Sequence, residues 1–65
     1  MLLRIGSRVR YQPEKVRAMA RTPTDRGRLM AMRGTVTGWI GRERAIIQFE
    51  GIGPIETCLD HLEPD

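Results

Sequence analysis

Apolar and polar side chains alternate through the second half of this chain in the two-residue rhythm of β-strands. In Arg33-Gly34-Thr35-Val36-Thr37-Gly38-Trp39-Ile40, the positions Val36, Gly38 and Ile40 fall on one face and Thr35, Thr37 and Trp39 on the other, and the segment is β-branched and aromatic. The connection Gly41-Arg42-Glu43-Arg44 leads into Ala45-Ile46-Ile47-Gln48-Phe49-Glu50, whose inward set is Ala45, Ile47 and Phe49. Together these predict a hairpin. Gly51-Ile52-Gly53-Pro54 breaks the run, and Ile55-Glu56-Thr57-Cys58 returns as a short strand. Leu59 and Leu62 lie three apart ahead of Pro64, which predicts one helical turn and then a last few pairing residues. Near the start, Ile5-Gly6-Ser7-Arg8-Val9-Arg10-Tyr11 alternates in the same way with Val9 and Tyr11 facing inward.

Residues 12–32 break the pattern. Pro13 suits a first helical position with Gln12 as a poor cap, Val16, Met19 and Ala20 recur at helical spacing, and Arg17 and Arg21 stand four apart. Thr22-Pro23-Thr24-Asp25-Arg26-Gly27 is turn chemistry, so the expectation is either two turns of helix or a mobile loop. Arg28-Leu29-Met30-Ala31-Met32 is ambiguous and is read as a strand leading into Arg33. An insert of this length in so small a domain is expected to be the least ordered or most projecting part and to carry the contact with a ligand.

Charge sharpens that expectation. All eleven Lys and Arg fall in residues 1–44, where only Glu14, Asp25 and Glu43 oppose them for a net +8; residues 45–65 carry five acidic groups and no Lys or Arg, and the sum is +3. Ten of the eleven cations are Arg, whose planar guanidinium suits bidentate contact with phosphate or carboxylate. Two readings follow: a basic surface offered to nucleic acid or to an acidic protein face, or two ends of the chain that neutralise each other in the fold. Length adds that this is one domain, residues 1–65, and that a chain so short buries only about 60% of its unfolded surface, which leaves a homo-oligomer open. The single cysteine, Cys58, rules out an intrachain disulfide and fits a reducing compartment. No apolar stretch behind Met1-Leu2-Leu3-Arg4 is long enough for a signal peptide and no run approaches a membrane span, so a cytoplasmic location without membrane contact is expected.

Five short strands, a C-terminal helical turn and an Arg-rich insert after the first strand predict an all-β fold, a small five-stranded SH3-like barrel. Its expected core is Val9, Val36, Ile40, Ala45, Ile47, Phe49 and Leu62. Gly6-Ser7-Arg8-Val9-Arg10 and Gly34-Thr35-Val36-Thr37-Gly38-Trp39 resemble the framework of the plasmid-borne type II dihydrofolate reductases, SH3-like barrels that work as homotetramers around one central pore. The resemblance covers roughly a quarter of the chain and implies the barrel alone. The family's Val-Gln-Ile-Tyr stretch, which lines the pore for folate and nicotinamide cofactor, corresponds here to Pro54-Ile55-Glu56-Thr57-Cys58, with neither the Gln nor the Tyr. Glu56 would repel the anionic cofactor and the folate glutamate tail, and the insert occupies the connection from which the family supplies a pore lysine.

Other catalytic chemistry is weakly represented. Cys58 and His61 supply half of a zinc site without the remaining ligands, Ser7, Asp60 and His61 form no credible triad, and Gly51-Ile52-Gly53-Pro54 leads into no helix that would cradle a phosphate. No catalytic residue, metal or cofactor is therefore expected. Binding remains. Phe49 is read as core, and Trp39 as an exposed platform beside Arg42 and Arg44 at the hairpin tip, suited to stacking on bases. With Arg17, Arg21, Arg26 and Arg28 of the insert, these make the expected interface. The leading reading is a non-enzymatic module, of the kind encoded by mobile elements or phages, that contacts nucleic acid. The alternatives are a protein-interaction module that inhibits or adapts a larger partner and, last, a dihydrofolate reductase-like enzyme.

Overall fold

A computed structural model describes residues 3–65; Met1 and Leu2, which open the stretch read against a signal peptide, lie outside the described residues. The chain runs β1 (Arg8–Tyr11), α1 (Pro13–Met19), α2 (Pro23–Ala31), β2 (Arg33–Ile40), β3 (Arg44–Phe49), β4 (Gly53–Cys58), a 3-10 turn (Leu59–His61) and β5 (Leu62–Pro64). The strands form one antiparallel sheet in the order β4-β3-β2-β1-β5. Five strands and the closing helical turn thus stand near where alternation placed them, with shifted ends: β1 starts only at Arg8, because Ile5 and Gly6 form a turn that leaves Ile5 exposed, β3 is offset by one residue, and β4 begins two residues early by taking in Gly53 and Pro54. Pro54 is tolerated because β4 is an edge strand and its missing N–H need not serve a neighbour.

The sheet is strongly curled but does not close, which corrects the expected barrel: β4 and β5 remain its two edges. In a flat sheet β1 and β4, three places apart, would be separated by roughly 14 Å. Here Tyr11 Oη lies 3.4 Å from Thr57 Oγ1. Two features of β2 permit the bend. A Cβ on Gly34 would meet Ile47 Cγ2 at 2.6 Å, so only glycine lets β3 approach there, and a bulge shifts the register between Val36 and Gly38. Val9, Tyr11, Val36, Ala45, Ile47, Phe49 and Leu62 fill the concave side, with the rings of Tyr11 and Phe49 stacked at 5.4 Å.

The same bulge corrects one member of the expected core. Val36 pairs with Ile47, but after the extra residue Trp39 stands opposite Ala45 and Ile40 opposite Arg44. Directly paired residues share a face. Ile40 is therefore turned to the solvent side and is 42% exposed, while Trp39 moves to the rim of the core face, equally exposed.

The insert forms two helices joined by an extended corner at residues 20–22, so residues 28–32 are not a strand and the mobile-loop alternative gives way to helix. What reads as turn chemistry is capping chemistry. Thr22 is an N-cap whose Oγ1 accepts the Asp25 N–H at 3.0 Å, and Pro23 takes the first helical position, where a missing N–H costs nothing. At the far end Arg33 Nη1 donates to the carbonyls of Met30 and Met32 at 2.8 and 3.0 Å, meeting acceptors that the helix leaves open. Val16 is fully buried, and Met19, Leu29 and Met32 pack against the core, so the insert contributes to the fold. Among the described residues no helix is long and apolar enough to cross a membrane.

Candidate functional site

The opposed charges of the two chain ends are paired in space. Arg8 meets Glu50, Arg10 meets Glu63, Arg33 meets Asp65 and Arg44 meets Glu56, all at N–O separations of 2.5–3.0 Å. These pairs are half exposed, so each adds at most about 1 kcal/mol to stability. Their larger effect is on where uncompensated charge remains. Outside residues 12–32 the chain has six arginines and six acidic residues; inside that span Lys15, Arg17, Arg21, Arg26 and Arg28 face only Glu14 and Asp25. The chain outside the insert is neutral. The two helices and their corner carry the whole net charge of +3.

That corner is built by local backbone preference. Ala20 ends α1 in an extended conformation, donating its N–H to Val16 O at 2.8 Å, and Thr22 enters α2 from an equally extended one. Arg17 comes from α1, Arg21 from between the helices and Arg26 from the first turns of α2, and all three line one open groove of about 360 Å³ with Ala20, Thr22 and Pro23. No carboxylate lines it. Asp25 shares the inner side of α2 with Leu29, one turn on, and both are half-buried. Among the described residues, Arg17, Arg21 and Arg26 make no ion pair.

The expected interface residues thus divide. Arg17, Arg21 and Arg26 are brought together, by the corner and not by stacking on one helix, since α1 ends at Met19. Arg28 follows Arg26 by two positions, roughly 200° around the helix, and does not line the groove. Trp39 and Arg42 are exposed at the β2–β3 hairpin, also outside the groove, and Arg44 is held by Glu56 at 2.7 Å. Thr22 and Pro23 are groove residues that the charge pattern alone misses. Their signal was present as a Thr-Pro-x-Asp helix start.

The 3-10 turn ties the insert to the hairpin. Leu59 N–H donates to Glu43 O at 2.8 Å, and Gln12 N–H donates to His61 O at 2.8 Å, so both connections are anchored on three consecutive residues. Gln12 Nε2 adds a bond to Leu62 O at 2.8 Å. Cys58 and His61 are both half-buried, and no group of three His, Cys, Asp or Glu side chains gathers in metal-binding geometry among the described residues. The chemistry on offer at the groove is electrostatic: planar cations on an open surface, suited to phosphate or carboxylate oxygens. Comparison with protein-family models, with curated proteins and with solved structures finds no match.

Proposed function

We propose that this chain is a non-enzymatic SH3-like binding module of the cytoplasm that holds nucleic acid by its phosphates through the helical insert. The strand order β4-β3-β2-β1-β5, with a 3-10 turn between the last two strands, supports the SH3-like reading. One observation supports the function above others: the rest of the chain is neutral, and the full +3 is concentrated on residues 12–32, where three arginines share a groove. Phosphate contacts supply affinity and position without reading sequence. Exposed Trp39, with Arg42 nearby in sequence, adds a surface on which a base can stack.

The test is a salt series of binding to duplex DNA. With about three to five phosphates engaged, the logarithm of affinity falls against the logarithm of salt with a slope of roughly −3 to −4. A slope near zero, or no binding at low salt, transfers the function to an acidic protein face met by the same arginines.

A further inference from the structure

We infer that the α1–α2 groove is a seat for a phosphate monoester, the dianionic group that ends a phosphorylated nucleic-acid strand or a free nucleotide, and prefers it to the internal diesters of a strand. The inference rests on the reading of the insert as a nucleic-acid surface and adds a ligand class to it. Charge matching within this open groove favours a dianion. Arg17, Arg21 and Arg26 line a single groove of about 360 Å³ to which no carboxylate contributes. A backbone diester carries one negative charge, and cations that serve successive diesters are best spread along a track. A terminal phosphate carries nearly two charges at neutral pH and three acceptor oxygens, enough to engage three guanidiniums at once.

The groove is made from side chains and not from the end of α2. Pro23 has no N–H to give, the Asp25 N–H is taken by Thr22 Oγ1, and the Arg26 N–H is taken by Thr22 O at 3.0 Å. Thr22 lines the groove and accepts through its hydroxyl oxygen, which keeps its own proton for a ligand. On their own the three cations repel one another. A dianion turns that repulsion into attraction, whereas a monoanion leaves a larger excess of positive charge.

The experiment compares two short oligothymidylates, identical except that one ends in a phosphate and the other in a hydroxyl, by fluorescence anisotropy with the intact chain at fixed ionic strength. The phosphorylated strand binds about tenfold more tightly, the gain expected of one added charge-assisted contact. Arg21→Ala and Arg17→Ala each abolish that difference while their circular dichroism stays unchanged, and Arg28→Ala, on the far flank of α2, preserves it. The preference fades as pH is taken below about 6, where the monoester gains a proton. The arginines cannot supply this pH dependence, and Glu14, Lys15, Asp25 and Arg28, the other charged groups of the two helices, do not line the groove.

Adenosine monophosphate competing as strongly as the phosphorylated strand assigns the seat to free nucleotides; weaker competition assigns it to strand ends. Equal affinity for the two strands overturns the seat and, if the salt slope persists, leaves the nucleic-acid reading standing. Persistence of the preference together with a duplex salt slope near zero does the reverse. Loss of the preference in Arg28→Ala to the same degree as in Arg21→Ala removes it from this groove.

Discussion

Tyr11 and Thr57 place their hydroxyl oxygens 3.4 Å apart although their strands are separated by two others in the sheet, and both side chains are buried. This contact joins β1 to β4 across the concave side and rests on the Tyr11–Phe49 ring stack. The separation is long for a hydroxyl pair, so its net worth is about 0.5–1 kcal/mol. Tyr11→Phe is expected to lose that amount in urea unfolding because Thr57 is left without a partner. Adding Thr57→Val to Tyr11→Phe restores most of it, since two apolar partners cost little. A double variant less stable than both singles would show that the two hydroxyls do not act as a pair.

Val16 decides whether the insert belongs to the fold. It is fully buried on α1, and Met19, Leu29 and Met32 pack against the same core. Val16→Ala removes two methyl-sized groups and leaves a cavity, for an expected loss of about 2 kcal/mol. Removing residues 14–27 altogether therefore unfolds the protein instead of leaving a bare sheet. A deleted chain with native-like cooperative unfolding and an unchanged sheet signal in circular dichroism would make the helices dispensable.

Most of the sheet was legible in the sequence because alternation has a period that side chains cannot disguise. The burial of Val9, Val36, Ala45, Ile47, Phe49 and Leu62 follows from it directly. Ile40 did not, because a bulge leaves no periodic trace until pairing partners are known: only the step from Val36–Ile47 to Gly38–Ile46 reveals the parity change. The helix over Pro23–Ala31 was obscured for a different reason. Thr, Pro and Asp open turns and helices alike, and only the N-cap bond from Asp25 N–H to Thr22 Oγ1 separates the two. For the candidate site, the sequence named Arg17, Arg21 and Arg26 but not their convergence, which depends on the corner at Ala20–Thr22. Nor could a linear charge count show that Arg44 is spent on Glu56, a partner that only strand pairing delivers.

The second helix is held by its cap and weakened by a glycine. Gly27 lies in the interior of α2 with nothing within 4 Å of where a Cβ would stand, and no residue of that helix is fully buried. Gly27→Ala is expected to stabilise the chain by about 0.5–1 kcal/mol, the difference in helix propensity. Thr22→Ala is expected to destabilise it by about 1 kcal/mol through loss of the cap. Urea midpoints check both, and a Gly27→Ala variant less stable than the parent would mean that α2 is not a regular helix at that position.

The partition of charge makes the sharpest distinction between residues that look alike in the sequence. Arg10 and Arg21 are both exposed or half-exposed arginines, yet Arg10 gives two nitrogens to Glu63 Oε2 at 2.8 and 2.9 Å while Arg21 lines the open groove. If phosphates bind through the insert, replacing Arg21 with Ala lowers the magnitude of the salt slope on duplex DNA by about one. Replacing Arg10 leaves the slope unchanged, because its charge is already opposed. Glu56→Gln releases Arg44 next to Arg42 and raises affinity modestly, and Glu63→Gln does the same for Arg10. A chain in which Arg10→Ala and Arg21→Ala reduce the slope equally would place the bound phosphates along the sheet as well as the helices. The pairing seen between the two ends of the chain would then yield to nucleic acid on binding, and the freed carboxylates of Glu63 and Glu56, which repel phosphate and take up cations as DNA releases them, would make the salt slope shallower than the number of engaged phosphates implies.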